Sequence, residues 1–282
     1  MNKILIADSG STKTHWILAN KEVKEDFYCS GINPYFMNSP DIVELVDSTF
    51  LSIDKDEISS IYFYGAGCSN KEKCTLVKNA LQYSFPKANV FVAEDLLASA
   101  RALLGNKAGV ACIIGTGSNA AVFDGEKFTS QIDSLGHLLG DEASGAIIGR
   151  QLVIDYYRKV MPNELREKFE NDFDISLSNV LEKVYKEEFP NRYLASFAPF
   201  ASKNIENKYI NNLMNFIFDE FIEYQLGVID FDKDKMEIGI VGSIAYYFQD
   251  NLKSRLKTKG YKVGKIIQAP IKDLVEYHIM ML

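Results

Sequence analysis

The sequence is poor in the residues that build metal cages and covalent staples. It has 4 cysteines, Cys29, Cys68, Cys74 and Cys112, none in a CxxC pair, and only 3 histidines. That argues against a zinc site or a disulfide framework and for a reducing compartment. Cys68, Cys74 and Cys112 have no activating neighbour in sequence and read as structural, and the single tryptophan, Trp16, sits in a strand-like run and reads as core. No apolar stretch reaches the roughly 18 residues of a membrane span, and the opening residues carry no leader pattern, so a cytoplasmic protein is expected. A positive balance is missing too: net charge is −7 and the pI about 5.2. Nucleic acid and membrane surfaces recruit basic patches, so neither is an expected partner. The Walker pattern GxxxxGK[ST] is absent, which excludes a P-loop but not a phosphate ligand. Low-complexity and Gly/Ser-rich linkers are lacking as well, so any two domains should be closely coupled around a cleft.

What is present is an ordinary globular composition, 47% apolar and 24% charged over 282 residues, enough for two domains. Lys3 to Ala7 (KILIA) reads as a buried strand, Asp8 to Thr14 as a polar turn and His15 to Asn20 as a second strand, which together make a hairpin. Helical spacing over Pro40–Leu51 and Lys71–Phe85 alternates with strands at Ile58–Tyr64 and Asn89–Ala93, and Asp95 opens a helix to Leu104. The same opening returns at Gly109–Ile114, the turn Gly115–Ser118 and Asn119–Phe123. A long helix over Ala143–Lys159 follows, then a charged, helical segment from Asn163 to Pro190 that reads as an exposed excursion. Ala195–Tyr224 is largely helical. Met236–Val241 is a strand, a helix runs on to Lys257, Lys265–Gln268 is a last strand and Ile271–Leu282 a last helix. Strands alternating with helices imply an α/β protein with largely parallel sheets.

Five loops carry candidate chemistry. In Asp8-Ser9-Gly10-Ser11-Thr12-Lys13-Thr14, small residues let backbone N–H groups approach phosphate, Thr12 adds a hydroxyl, and Asp8 can hold Mg²⁺ through water. Gly115-Thr116-Gly117-Ser118-Asn119 repeats that design. Glu94-Asp95 closes a strand and opens a helix, where α/β ligands bind, and Asp95 is the candidate base for a hydroxyl acceptor. Gly136-His137-Leu138-Leu139-Gly140-Asp141-Glu142 sets two acids beside a glycine turn, suited to sugar hydroxyls. Gly242-Ser243 follows a strand and leaves room for a flat nucleoside. Each loop taken alone is also compatible with an ordinary turn or helix cap, and His137 with a packed structural role; two matching hairpins make the phosphate reading the stronger one.

These loops, in this order, resemble the N-acetylglucosamine kinase and BadF/BadG/BcrA/BcrD ATPase family of the actin-like, hexokinase and Hsp70 superfamily. The likeness is densest over Val92–Arg150, in EDLLASARALL, CIIGTGSNAAVFDG and LGHLLGDEASGAIIGR. It implies two ribonuclease H-like (actin-like ATPase) domains flanking an interdomain cleft, 1–112 and 113–270, with the option that the last helix, about 271–282, returns to the first. It implies an ATP- and Mg²⁺-dependent kinase that phosphorylates the 6-hydroxyl of an N-acetylated amino sugar, N-acetylglucosamine before others. Asp95 would be the base; Asp8, Gly10, Ser11, Thr12, Lys13, Gly115, Thr116 and Gly117 would lie at the phosphates, and Gly242 and Ser243 at the adenosine. Asn33, Asp95, Ser118, Asn119, Gly136, His137 and Asp141 would meet the sugar. Leu135 stands where the animal enzymes have tryptophan, and Ala143 replaces the second glycine of GDEGS. N-acetylmuramic acid or glucosamine are alternative acceptors, a homodimer is left open, and an ATPase activator or a non-catalytic sugar sensor are readings from other classes. Relatives of the activator type hold an iron–sulfur cluster with cysteines at a dimer interface, a pattern that four dispersed cysteines do not match.

Overall fold

A computed structural model describes residues 3–10 and 12–281 of the chain. Ser11 and the end of the last expected helix at Leu282 therefore lie outside the described residues. In chain order the elements are β1 Lys3–Ser9, β2 Lys13–Ala19, β3 Lys24–Ser30, α1 Ser39–Thr49, β4 Ile58–Gly65, α2 Lys71–Ser84, β5 Asn89–Glu94 and α3 Asp95–Leu104. They continue as β6 Gly109–Ile114, β7 Ser118–Phe123, β8 Phe128–Gln131, α4 Gly136–Leu139, α5 Gly145–Tyr157, α6 Asn163–Asp172, α7 Leu177–Tyr185, α8 Pro190–Ala195, α9 Ala198–Lys203 and α10 Lys208–Phe221. A π-turn, Ile222–Leu226, extends α10, and β9 Glu237–Val241, α11 Ser243–Tyr247, α12 Gln249–Thr258, β10 Lys262–Ile267 and α13 Ile271–Ile279 complete the chain. No helix among the described residues is long and apolar enough to cross a membrane.

The chain divides into two compact units, Met1–Asn106 with Ala269–Leu282, and Lys107–Gln268. The boundary falls ahead of β6 and not within it. Each unit holds a five-stranded sheet, ordered β3-β2-β1-β4-β5 in the first and β8-β7-β6-β9-β10 in the second. The two orders are the same. In each, an antiparallel three-stranded meander is followed by two parallel strands, β1–β4–β5 and β6–β9–β10. The two halves thus share an architecture although their sequences diverge.

Burial explains the elements. β1 and β6 are central, covered on both faces, and read as nearly unbroken apolar runs. In the first unit Trp16 is fully buried and meets Phe50 edge-on at 5.3 Å between ring centroids, and Val77, Leu81 and Phe85 of the α2 side close this face. Helix α1 starts at a capping box: Asp41 N donates to Asn38 Oδ1 at 3.0 Å and Asn38 N to Asp41 Oδ2 at 3.2 Å, with Pro40 in the first turn. On the opposite face, His278 of α13 is buried, stacks on Tyr62 at 3.7 Å and shares a 2.8 Å hydrogen bond with the Tyr64 hydroxyl. Burial, then the Arg101 charge, drives the His278 pKa down to about 3, so the imidazole is neutral at working pH.

Two expectations change here. The segment Asn163–Pro190 is no excursion: α6 and α7 turn Leu165, Phe169 and Val180 into the second core, where Phe169 packs on Phe197 and Phe200 at 5.4 and 5.0 Å. Its charges occupy the outer face of amphipathic helices. The helix expected from Ser243 to Lys257 breaks at Phe248 into α11 and α12: the Phe248 backbone leaves helical geometry (φ −110, ψ 25) and its side chain is buried in the second core.

Candidate functional site

In the first unit the parallel register aligns three strand ends: Ser9 of β1 pairs with Gly65 of β4, which pairs with Glu94 of β5. Asp8 and Asp95 therefore sit on one edge of the sheet, at the carboxyl ends of strands, the usual ligand side of α/β folds. Both carboxylates are half-buried. Desolvation lifts the Asp95 pKa to about 6, the Glu94 charge adds to it, and the backbone N–H groups at the start of α3 only partly offset the rise. Asp8 goes up to about 7, again mainly by desolvation and then by the Asp95 charge, with Lys13 opposing. Two acids with pKa values near neutral pH on one sheet edge are suited to proton transfer and to a cation.

The DSGSTKT turn is organised differently from a bare phosphate cradle. Gly10 N donates to Lys13 O at 3.0 Å, closing the hairpin. Ser9 and Thr14 are buried, their hydroxyl oxygens 2.7 Å apart. Ile32 N donates to both, at 3.0 and 3.2 Å, Ser9 Oγ donates to Ile32 O at 3.1 Å, and Thr14 Oγ1 donates to Ser30 O at 3.1 Å. Gly31 N adds a 3.0 Å bond to Thr12 O. This network pins the Gly31–Asn33 segment to the hairpin. Asn33 is thereby set against Gly67, where a Cβ would come within 2.4 Å of Asn33 Oδ1 and where φ is +86, so only glycine fits. The structure brings Asp8, Asp95 and Asn33 to one end of the first unit. Ser9, Thr14 and Gly67, which hold them, escaped the sequence reading; the small-residue run and the glycine after β4 were the available signals.

In the second unit the Gly115–Gly117 turn is closed by Gly115 N donating to Gly117 O at 2.9 Å, and Gly145 N at the start of α5 donates to Gly115 O at 2.7 Å. Asp141 reaches this turn: Ser118 N donates to its Oδ1 at 3.2 Å, and a Cβ at Gly117 would lie 3.1 Å from its Oδ2. Its pKa is raised, chiefly by desolvation, while the Ser118 amide and His137 pull the other way. The Ser118 hydroxyl is turned inward and accepts from Gln225 Nε2 at 2.6 Å; the same amide donates to Glu142 Oε2 at 2.8 Å. Gln225 belongs to the π-turn after α10, a geometry frequent at functional sites. Asn119 Oδ1 accepts from Ala120 N at 2.8 Å. Gly136, Asp141 and Ala143 all have positive φ, +70, +57 and +63. The last explains why glycine is usual in GDEGS: alanine pays a left-handed backbone there.

A cavity of about 370 Å³ opens beside this turn, within the size range of small-molecule sites. Gly115, Thr116 and Gly145 form its floor, Ala195, Ala198, Pro199, Ser202 and Lys203 of the α8–α9 region one wall, and Ser243, Ile244 and Tyr247 of α11 the other. Gly242 sets the second wall: its φ is +134, and a Cβ there would stand 2.1 Å from Ile114 O. Gly149 sets the first, since a Cβ would lie 1.8 Å from Leu194 O, which lets α8 lie directly on α5. The α8–α9 wall and Tyr247 were invisible to motif reading, because small apolar residues in a helical stretch look like any packing face.

No family model matches the chain, and none of the curated proteins does. Solved structures match over nearly all of it. A protein of Porphyromonas gingivalis, provisionally named an N-acetylglucosamine kinase, superposes with a TM-score of 0.92 at 35% identity, covering 98% of this chain and 99% of that one. A protein of Chromobacterium violaceum with the same provisional name gives 0.73 at 13% identity, covering 98% of this chain and 99% of that one. A ROK family glucokinase of Streptomyces griseus, solved with glucose and AMPPNP, gives 0.57 at 13% identity over 98% of each chain and shares the fold. With two five-stranded sheets of one topology and a relative of that identity along its whole length, the chain belongs to the N-acetylglucosamine kinase family of sugar kinases, built on the actin-like ATPase fold.

Proposed function

We propose that the protein is an ATP-dependent kinase for the 6-hydroxyl of an N-acetylated amino sugar, with N-acetylglucosamine as the first acceptor to test. The observation that carries this reading is the pairing, on one strand-end edge, of Asp8 and Asp95 with pKa values lifted to about 7 and about 6. A base works best with a pKa near the operating pH, and Asp95 meets that condition. In the first unit Asn33 is the group assigned to the sugar ring. The nucleoside is assigned to the cavity between α8–α9 and α11, with Tyr247 as an aromatic wall, and its phosphates to the Gly115–Gly117 turn at the floor of that cavity.

In the transfer, the acceptor oxygen forms a bond to the γ-phosphorus as the bridging P–O bond to ADP breaks, and the hydroxyl proton passes to Asp95. Positioning supplies most of the rate, since a loose phosphoryl transition state needs little covalent help. Asp8 is the group that would hold Mg²⁺. The residues fit the ion in that the desolvated Asp8 carboxylate is crowded by the Asp95 charge, which a cation would offset. One carboxylate completed by phosphate and water is the arrangement Mg²⁺ favours. When bound, the ion would supply charge neutralisation at the phosphate oxygens.

The test is a coupled assay of ADP release with N-acetylglucosamine, N-acetylmannosamine, glucosamine and glucose. Asp95→Asn is expected to lower kcat by 10²-fold or more while the KM for ATP stays within a few-fold. Wild-type turnover in that variant would remove Asp95 from the base role, and no ADP release with any sugar would remove the kinase reading.

A further inference from the structure

Beside the acid edge the first unit buries a polar network that the transfer reaction does not use. Tyr64 of β4 pairs in register with Asp8 of β1 and with Ala93 of β5, the residue before Glu94 and Asp95. Paired residues share a sheet face, so Tyr64 stands on the face that carries Asp8. Its side chain is fully buried. The Tyr64 hydroxyl accepts from Arg101 Nη1 at 2.5 Å and lies 2.8 Å from His278 Nε2. Arg101 belongs to α3, the helix that Asp95 opens, and His278 to α13. A guanidinium has only donors, so the tyrosine proton points to Nε2, and the neutral imidazole carries its own proton on Nδ1. The bonds therefore run in one direction, from α3 through β4 to α13.

Such a network is unfavourable to bury. Arg101 makes no ion pair among the described residues. Its charge rests against the rings of Phe91, Tyr277 and Tyr64, at 5.0, 5.5 and 5.7 Å from their centroids. Arg101 Nε and His278 Nδ1 are buried without a hydrogen-bond partner. Apolar side chains would fill the same space without unpaired donors, so filling alone does not account for these residues. What the network holds is α3. Among the described residues no side-chain bond caps the start of that helix. The body of the helix, and not a cap, thus sets where Asp95 stands. We propose that Tyr64, Arg101 and His278 form a brace that positions Asp95 for proton transfer by locking α3 to β4 and α13. All three are positioning residues, acting through Asp95. The inference rests on the kinase reading and extends it to residues outside every motif loop.

The experiment measures kcat and the KM for ATP, with the best acceptor of the sugar panel, in Tyr64→Phe, His278→Phe, their double variant and His278→Gln, each assayed well below its melting temperature. Each Phe variant is expected to lower kcat by about tenfold, since a small misplacement of a reacting group suffices, with the KM for ATP within about threefold of wild type. The double variant should lose no more than the worse single one, because the groups act as a unit. A glutamine amide oxygen accepts the tyrosine proton as Nε2 does, so His278→Gln should return kcat to within about threefold of wild type. A second readout needs no turnover. Asp95→Asn is expected to raise the wild-type melting temperature at pH 8, because it removes a desolvated charge; in the Tyr64→Phe background that gain should fall by about half or more, as α3 shifts and the carboxylate meets water. If Tyr64→Phe does not fold, the same cycle in His278→Phe takes its place. Phe variants that melt lower but keep kcat within about twofold make the network core packing alone and overturn the brace. So do losses that multiply in the double variant, a Gln variant no better than the Phe one, or an Asp95→Asn gain that the background leaves unchanged. If the wild type turns over no sugar, the kinase reading fails, and the melting cycle alone decides whether the brace holds Asp95.

Discussion

The acid proposed as the base should destabilise the protein that carries it, and the size of that effect follows from its surroundings. Asp95 has a pKa of about 6 in the folded chain against an ordinary value of 3.8. The difference is about 2 units, and at about 1.4 kcal/mol per unit the ionised group costs about 3 kcal/mol at pH 8 if water is excluded. The carboxylate is half-buried, so about half of that, about 1.5 kcal/mol, is the working figure. Asn is the same shape and never ionises. Asp95→Asn should therefore melt about 3–6 °C above wild type at pH 8, by calorimetry without nucleotide. Between the two pKa values the folded state binds more proton than the unfolded one, so the wild-type contribution falls as pH rises from 3.8 through about 6. The advantage of the variant should be full at pH 8, shrink as pH falls below about 6, and be gone only below about 3.8, where the unfolded chain is protonated as well. Asp8, which the Asp95 charge pushes up, is relieved in the variant and widens the gap in the same direction, while carboxylates beyond the reach of Asp95 cancel in the difference between the two proteins. A variant that melts at or below wild type at pH 8, or a gap that stays constant on acidification, would refute the desolvation argument. A site that gives up stability for a poised base is an ordinary trade in enzymes.

Two further outcomes test the scaffold around the site. Gly242→Ala would put a methyl 2.1 Å from the Ile114 carbonyl oxygen at a φ of +134, and backbone cannot move aside cheaply; a loss of about 3 kcal/mol or more is expected in urea unfolding at unchanged m-value. Ser9→Ala removes one of the two hydroxyls that receive the Ile32 amide at 3.0 and 3.2 Å, so a loss of about 1–2 kcal/mol should accompany a raised KM for the sugar, with the KM for ATP less affected, in the coupled assay.

Much of this architecture was legible in the sequence because buried strands announce themselves. KILIA, GVACII and MEIGIV are apolar because both their faces are covered, ISSIYFY and NVFVA are apolar with partial cover, and all five form strands. The strands that escaped are β3 (KEDFYCS) and β8 (FTSQ), the antiparallel edges of the two sheets. An edge strand hides one face at most and is kept polar against unwanted pairing, so its composition is that of a loop. The pattern sets the last strand at Lys265–Gln268 and not at Lys262–Ile267 because β10 is an edge whose first half, Lys262-Val263-Gly264, offers a single apolar residue. The repeated topology of the two sheets emerges only once β3 and β8 are in place.

The site divides along the same line. Residues that act through charge or through a backbone turn were visible, since Asp8, Asp95, Asp141 and the Gly115–Gly117 bend stand at strand ends where the pattern breaks. Residues that act by being small or by bonding inward were not. Nothing in a string of letters tells that Ser9 and Thr14 serve the Ile32 amide and not a ligand, or that Ala195 and Ala198 line a cavity and not a packed face. Ala143 shows how the two kinds of information meet. As a letter it is a departure from GDEGS; in the fold it is a fully buried alanine at a φ of +63, two residues after an aspartate at +57 whose carboxylate receives the Ser118 amide. The strained pair orients Asp141 toward the Gly115–Gly117 turn, and a backbone held there at a cost of about 1–2 kcal/mol per residue persists because the surrounding core leaves it no alternative. A departure from a motif that keeps the backbone shape while adding strain is weak evidence for a change of function and good evidence that the shape itself is what the site needs.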